Sequence, residues 1–583
     1  MKKVNSGIIK KLWAFIKPNR KYLILGLIFS AISVIAGLLS TVFIGDGVDY
    51  IIGKGNVDFS GLIVVIIKIA VTVGIMFIAE WLTTVFTQKL TYFTVRDIRN
   101  LSMETLQKVP LSYIDSKDKG DVLSRVIADV TEVSDGLLLG FTQLFTGLVT
   151  IVATLIIMLV LNWKIGLVVA VLTPLSLFVA RYVSRITSGE FKMQSVKRGQ
   201  LTSLIDEMVG NQKVVKAYSK EEDNQKLFDE INADLCDIGT KATFFSSLTN
   251  PTTRFVNNVV YVAVGLIGAM VVMANPVAFT VGRLTAFLMY ATKYTKPFNE
   301  ISGVITELQS AFASARRIFE ILEESKETPD NVDAFILDEV KGKVEIQNVD
   351  FSYDKNKELI KDFNLKVKPG QRIAIVGPTG CGKTTIINLL MRFYDTDSGE
   401  ILVEDKSIKN ITRNSLRKSY GMVLQETWLK KGTVKENIAY GTPDATDEEI
   451  FEAAKKAHAH GFIKRLPKGY DTVIGDEIGG ISEGQKQLLC IARIMVRLPN
   501  MLILDEATSS IDTRTEIRVK SAFDEMMKGR TSFVVAHRLS TIKNANKILV
   551  MDKGKIVEQG THKDLIEKKG FYYELYSSQF AET

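Results

Sequence analysis

The chain has 583 residues, with 73 Lys or Arg against 65 Asp or Glu, a formal net charge of +8. That length exceeds one domain, and a mean hydropathy of +0.13 beside 24% charged residues points to one part suited to lipid and another suited to water. The basic excess is too modest to argue for a nucleic-acid partner and suits the cytoplasmic loops of a membrane protein, while three scattered cysteines, Cys236, Cys381 and Cys490, give neither a disulfide framework nor a metal-ligand spacing.

Met1, Lys2 and Lys3 are basic, but no short apolar core with a cleavage site follows, so no removable signal peptide is expected. Residues 8–16 read as a short amphipathic helix, with Ile8, Ile9, Leu12, Phe15 and Ile16 opposed to Lys10 and Lys11, and Pro18 as its stop. With Lys17, Arg20 and Lys21 behind it and Trp13 at the boundary, this helix is expected to lie on the cytoplasmic membrane surface. Long apolar segments follow near 22–44, 60–86, 137–161, 164–183, 252–274 and 281–305. Most reach the roughly 20 residues that cross a bilayer, and six spans return both termini to one side. The connections 87–136 and 184–250 are long, polar and helix-prone, and hold Arg96, Arg99, Arg125, Lys192, Lys197 and Lys213. The positive-inside bias therefore places them and both termini in the cytoplasm, in a multi-pass membrane protein.

Two segments, 113–121 and 210–218, interrupt these connections with glycine and polar residues. They read as crosswise turns, either docking knobs for a second domain or solvated turns. Lys293, Glu300 and Glu307 recur every seven residues with Lys296 one turn away, and Arg254 and Asn258 are four apart. Ionisable groups at membrane depth face a water-filled cavity or each other; the alternative is that Glu300 and Glu307 already lie in a solvated extension. Lys68 and Glu80 fall outside this pattern, and Lys68 can snorkel.

A charged stretch over 321–330, ended by Pro329, sets a boundary near residue 326. It separates an all-α transmembrane domain, 1–325, from an α/β nucleotide-binding domain, 326–583. Within the second, Gly377-Pro378-Thr379-Gly380-Cys381-Gly382-Lys383-Thr384 follows the apolar run 372–376 and precedes the helix-like run 386–391. Strand, G-x-x-x-x-G-K-[ST] and helix form a phosphate-binding loop, because consecutive backbone N–H groups at a helix N-terminus wrap a polyphosphate when glycines clear the way. Lys383 would reach the β- and γ-phosphates, and Thr384, followed by Thr385, would bring a hydroxyl to Mg²⁺. ATP with Mg²⁺ is the expected cofactor pair. Tyr353, past the alternating strand 344–349, can stack on a nucleobase or be an ordinary strand-end aromatic. The buried-strand run 501–504 ends in Asp505, suited to the metal's shell, and Glu506, suited to polarise the attacking water as general base. His537 follows a second such strand, 532–536, and parallel strands deliver their C-terminal ends to one edge.

Upstream of Asp505 stands Gly479-Gly480-Ile481-Ser482-Glu483-Gly484-Gln485-Lys486-Gln487, which resembles the signature motif of ATP-binding-cassette (ABC) transporters. With the phosphate loop, Gln425, Ser509-Ser510-Ile511-Asp512 and His537 in family order, the resemblance covers the C-terminal half. Six spans ahead of a fused cassette resemble exporter half-transporters of the multidrug and lipid-flippase type. The resemblance implies a dimer with a second half-transporter, in which Ser482, Gly484 and Gln485 of one chain cap ATP held by the other's phosphate loop. It further implies that Tyr353 stacks on adenine, that Gln425 joins Thr384 and Asp505 at Mg²⁺, and that Glu506 acts as base with His537 at the γ-phosphate. The hairpins 113–121 and 210–218 would carry cassette closure to the membrane helices. A hydrophobic or amphipathic drug, lipid or peptide, moved among membrane lipids, is the implied cargo. Ile481 and Glu483 depart from the family's L-S-G-G-Q. That is either neutral drift in a homodimer or the mark of a heterodimer with one degenerate ATP site, which is favoured because Glu506 is kept. An ATP-gated channel or regulatory subunit on the same scaffold is the rival reading, disfavoured by the presence of Glu506 and His537. An importer is disfavoured because the two parts are fused in the exporter manner, and the short stretch before the first span is expected to leave no room for the protease domain of a peptide-maturation exporter. Cys381, beside Lys383 at a helix N-terminus, is expected to be an activated thiol.

Overall fold

The computed structural model describes all residues except 1, 52–56, 278, 356, 425–426, 476–480, 506–510, 536–541 and 581–583. The chain forms two units, Met1–Gln107 with Asp118–Glu324, and Lys108–Lys117 with Ser325–Thr583.

The first unit is helical. Helix α1 (Lys2–Ile16) gives way to a turn, Lys17–Asn19, at Pro18, which has no N–H to extend the ladder. Ile8, Leu12 and Ile16 share one face of α1 and pack with Val95, Ile98, Ala315 and Ile318, while Ile9 and Trp13 stay exposed. The apolar stripe is thus spent on the unit's own core, and Ile9 and Trp13 are large apolar side chains of α1 left on its outer surface. Helices α2 (Arg20–Asp49) and α3 (Phe59–Leu106) follow; the Asp58 carboxylate caps α3 by accepting from the amides of Ser60 and Gly61, both at 3.0 Å. After α4 (Leu111–Asp115), the long α5 (Lys119–Leu161) contains wider π-helical turns at Arg125–Asp129 and Gly140–Leu144. Then come α6 (Trp163–Leu172), α7 (Pro174–Gly210), α8 (Gln212–Ala217), α9 (Glu221–Ser247), α10 (Thr249–Ala274) and α11 (Val281–Leu322).

Among the described residues, the runs Gly7–Asp49, Phe59–Leu106, Lys119–Leu161 and Glu221–Ala274 are long and apolar enough to cross a bilayer. The segments 164–183 and 281–305 are helical too but differ in kind. The former breaks at Thr173, ahead of Pro174, and the latter lies in α11, whose Lys293, Lys296 and Glu300 interrupt its apolar character. Helices α2 and α11 cross where a Cβ on Gly45 would stand 2.6 Å from the Gly282 carbonyl oxygen, so glycine is required for that approach. Asp49 locks the same crossing, accepting from Thr280 Oγ1 at 2.6 Å and the Gly282 amide at 2.7 Å.

The second unit contains strands β1 (Val344–Phe351), β2 (Ile360–Val367), β3 (Arg372–Val376), β4 (Ser398–Val403), β5 (Lys406–Ser407), β6 (Tyr420–Val423), β7 (Gly432–Thr433), β8 (Val473–Ile474), β9 (Met501–Asp505), β10 (Thr531–Val535), β11 (Lys547–Asp552) and β12 (Lys555–Gly560). An antiparallel sheet runs β2-β1-β4-β5, β7 pairs with β8, and a six-stranded sheet runs β12-β11-β3-β10-β9-β6. In the last, β11, β3, β10, β9 and β6 are parallel, and β9 and β10 are buried at every position, as befits runs covered on both faces. Three helices matter below: α12 (Lys383–Leu390), α13 (Glu483–Met495) and α14 (Thr513–Met527). The 327–330 stretch read as linker is fastened to this unit. Arg413 Nη1 donates to Thr328 O at 2.6 Å and Asp330 Oδ1 at 2.9 Å, and Arg417 Nη2 to Glu327 Oε1 at 2.7 Å.

Candidate functional site: a phosphate-binding edge

The parallel register assembles the site. Val535 of β10 stands opposite both Ile375 of β3 and Asp505 of β9, so the chain leaves all three strands at one edge. From that edge β3 runs into Gly377, β9 leads to Glu506, and β10 to His537. Glu506 and His537 lie outside the described residues, as do Gln425, Gly479, Gly480, Ser509 and Ser510. Asp505 is 7% exposed, its carboxylate at the strand end.

In the phosphate loop, Gly377, Gly380 and Gly382 have φ of +155°, +81° and +101°, values that L side chains adopt only with strain. Gly382 is the N-cap of α12, so the N–H groups of Lys383, Thr384 and Thr385 open the helix toward the loop. The Lys383 ammonium folds back inside, donating to Gly377 O at 2.9 Å and Pro378 O at 3.0 Å. Those carbonyls hold the charge in the position from which it can exchange to phosphate oxygens, and a Cβ on Gly380 would meet nothing within 4 Å. The cradle fits a polyphosphate. Thr384 is exposed beside it and Thr385 is buried. Among the described residues no group of three His, Cys, Asp or Glu could hold a metal ion alone, so a divalent cation here would depend on phosphate oxygens as well as on protein.

Cys381 departs from expectation. Its thiol is 3% exposed, packed in the core beneath Gly377, and burial pushes its pKa up more strongly than the nearby Lys383 ammonium pulls it down. It is a structural thiol rather than an activated one.

Tyr353 is 51% exposed, with its hydroxyl accepting from Asn388 Nδ2 at 3.0 Å. Phe351 and Tyr394 meet it edge-on at centroid distances of 5.0 Å each, which sets the ring's orientation. Tyr394 was not legible as a site residue. It also donates to Asp115 Oδ2 at 2.6 Å, so the hairpin tip α4 is tied to the aromatic cluster, while burial and that bond raise the tyrosine's pKa. The other hairpin tip, at α8, leaves Val214 and Tyr218 exposed.

The signature segment opens α13. Ser482 Oγ accepts from the Gln485 amide at 3.3 Å and Gln485 Oε1 from the Ser482 amide at 3.1 Å, a reciprocal cap. Gly484 is buried, and a Cβ there would stand 2.4 Å from Thr515 Cγ2 of α14. Glu483 does not hang free: its carboxylate accepts from the Thr427 hydroxyl and, at 3.2 Å, from Lys486 Nζ. The Thr427 bond first, then Lys486, hold its pKa below the usual glutamate value against the opposing effect of burial.

Two family models match: residues 23–298 fit the ABC transporter transmembrane region, and 360–509 the ABC transporter. The chain is 42% identical, over 81% of its length and 74% of the relative's, to the fatty acid ABC transporter ATP-binding/permease protein of Mycobacterium bovis. It is 34% identical, over 98% and 99%, to a putative multidrug export ATP-binding/permease protein of Bacillus subtilis. Among solved structures, a bacterial Atm1-family ABC exporter with ATP bound superposes with a TM-score of 0.77 at 27% identity, covering 97% of this chain and 99% of that one. With a helical membrane region and an ATP-binding cassette joined in one polypeptide, the chain belongs to the ABC transporters, as an ATP-driven half-transporter of the exporter type.

Proposed function

We propose that this chain pairs with a second half-transporter to pump an amphipathic lipid or drug out across a bacterial plasma membrane, hydrolysing ATP with Mg²⁺. Half-transporters of this type work as dimers. The observation that carries the reading is the common edge formed by β3, β9 and β10, with Lys383 held inside a loop of positive-φ glycines. Bound there, ATP supplies the free energy that drives conformational change. Lys383 would hold the β- and γ-phosphates, Thr384, Gln425 and Asp505 would take the cation, Tyr353 would offer its exposed face to adenine, and Glu506 would act as base, with His537 at the γ-phosphate. Ser482, Gly484 and Gln485 face the partner's nucleotide. Both hairpin tips serve as docking knobs, and exposed Val214 and Tyr218 supply apolar surface for the second contact. The termini and cassette lie in the cytoplasm. One relative named as a fatty acid transporter and another named for multidrug export support an amphipathic cargo.

Glu483 favours a partner of different sequence. A carboxylate at the signature lowers the capacity of that surface to support turnover at the partner's phosphates. Its bonds to Thr427 and Lys486 soften this effect without removing the charge. In membrane vesicles containing the complete complex, Lys383→Ala in this chain should nearly abolish ATPase activity, while the matching change in the partner leaves a substantial fraction. Glu506→Gln should bind ATP but turn over about a hundredfold more slowly. Full activity of this chain purified as a homodimer would overturn the heterodimer reading.

A further inference from the structure

Within the helical unit, α2, α3, α5 and α11 line an open cavity of about 610 Å³. This is within the range of small-molecule sites, and the wall is mixed, with Val34, Leu38 and Met76 beside hydroxyls such as Ser30 and Thr146, which are bonded to each other at 2.7 Å. Four charged side chains line it: Lys293, Lys296 and Glu300 on α11 and Glu80 on α3. Lys296 and Glu300 face one another at 3.7 Å. Lys293 has no such counter-charge among the described residues. Its Nζ donates to Gly37 O at 2.5 Å and Thr41 Oγ1 at 2.8 Å, which uses two of an ammonium's three N–H donors. The position is built for it. A Cβ on Gly37 would come to 3.2 Å from Met76 Sδ and 4.0 Å from Lys293 Nζ, so the glycine keeps the passage open. Four residues along, Pro297 lies inside α11 and cannot donate to the Lys293 carbonyl, which loosens the helix at the cavity wall. A half-buried cation held by a carbonyl and a hydroxyl, with no ion pair among the described residues, keeps one N–H to offer a group that enters the cavity.

We propose that this cavity receives the headgroup of an anionic amphiphile, with Lys293 bonding its carboxylate or phosphate; this assignment of cargo class rests on the exporter reading. A charge-assisted hydrogen bond from the third N–H supplies the selectivity, and the apolar tail lies along the helices. Glu80 is the like charge that the anion must avoid, so the headgroup sits on the α2–α11 side. The complete transporter in phosphatidylcholine vesicles tests this by equilibrium binding and ATPase stimulation with oleate, methyl oleate, dioleoyl phosphatidate and dioleoylglycerol. Oleate or phosphatidate should bind and stimulate where its uncharged counterpart does not, and the stronger of the two identifies carboxylate or phosphate as the natural group. Lys293→Met should raise the half-saturating concentration at least about tenfold and erase the preference for acid over ester, whereas Lys293→Arg should retain that preference. Equal binding of acid and ester to the unsubstituted protein, or an unaltered preference in Lys293→Met, would overturn the proposal. Lys293-dependent binding without ATP-driven lipid movement would refute the exporter reading and leave the site standing; ATP-driven movement with binding indifferent to Lys293 would do the reverse.

Discussion

Two glycines of the phosphate loop should respond differently to the same added methyl group. At Gly377 a Cβ would stand 2.2 Å from the Met551 carbonyl oxygen and 2.7 Å from Cys381 Sγ, and the first of these belongs to the backbone of β11, which cannot swing aside. At Gly380 nothing lies within 4 Å. Both have positive φ, so Ala costs about 1–2 kcal/mol at either position for the left-handed backbone alone. Gly377→Ala adds about 1–3 kcal/mol of overpacking, for a total of about 2–5 kcal/mol. In a unit of this size each kcal/mol moves the melting temperature by about 2–4 °C. Calorimetry of the nucleotide-free full chain should therefore place Gly380→Ala about 2–8 °C below the parent cassette transition and Gly377→Ala further down, near 10 °C. Measuring without nucleotide keeps phosphate contacts out of the comparison. Equal losses, or a larger loss at Gly380, would refute the claim that the β11 carbonyl dictates glycine at 377.

Two further outcomes follow from the site. Maleimide should modify exposed Cys236 readily in the folded protein and leave buried Cys381 intact with or without ATP; mass spectrometry of digested protein reads both, and fast Cys381 labelling slowed by ATP would restore the activated-thiol reading. Glu483 has a lowered pKa in the fold, so its contribution to stability is present above the unfolded value of about 4.3 and is lost as pH falls through the lower folded value. Glu483→Gln should thus melt below the parent at pH 7 and approach it below about pH 4, and a gap that stays constant over that range would show that the charge contributes nothing.

What the sequence alone determined rests on local signals. Glycine spacing and Lys383 announce a phosphate loop because its shape depends on a few consecutive φ angles, and the apolar run 501–504 announces a buried strand because both its faces are covered. Helix after helix in the first half is legible for the same reason, since length and hydropathy answer to a bilayer rather than to particular neighbours. Other properties were decided by what the fold brings in from afar. Local charge at a helix N-terminus argued for a reactive Cys381, but the core packed over it and desolvation won. Amphipathicity announced that one face of α1 would be covered, but only the fold supplied Val95 and Ile318 to cover it. Glu483 looked like a bare charge because Thr427 is 56 positions away in the chain, and Lys293 looked like one of several cavity or solvent lysines because Gly37 and Thr41 are more than 250 positions away. Periodicity reports which face of an element will be covered; only tertiary packing decides by what, and an ionisable or apolar group takes its chemistry from that neighbour.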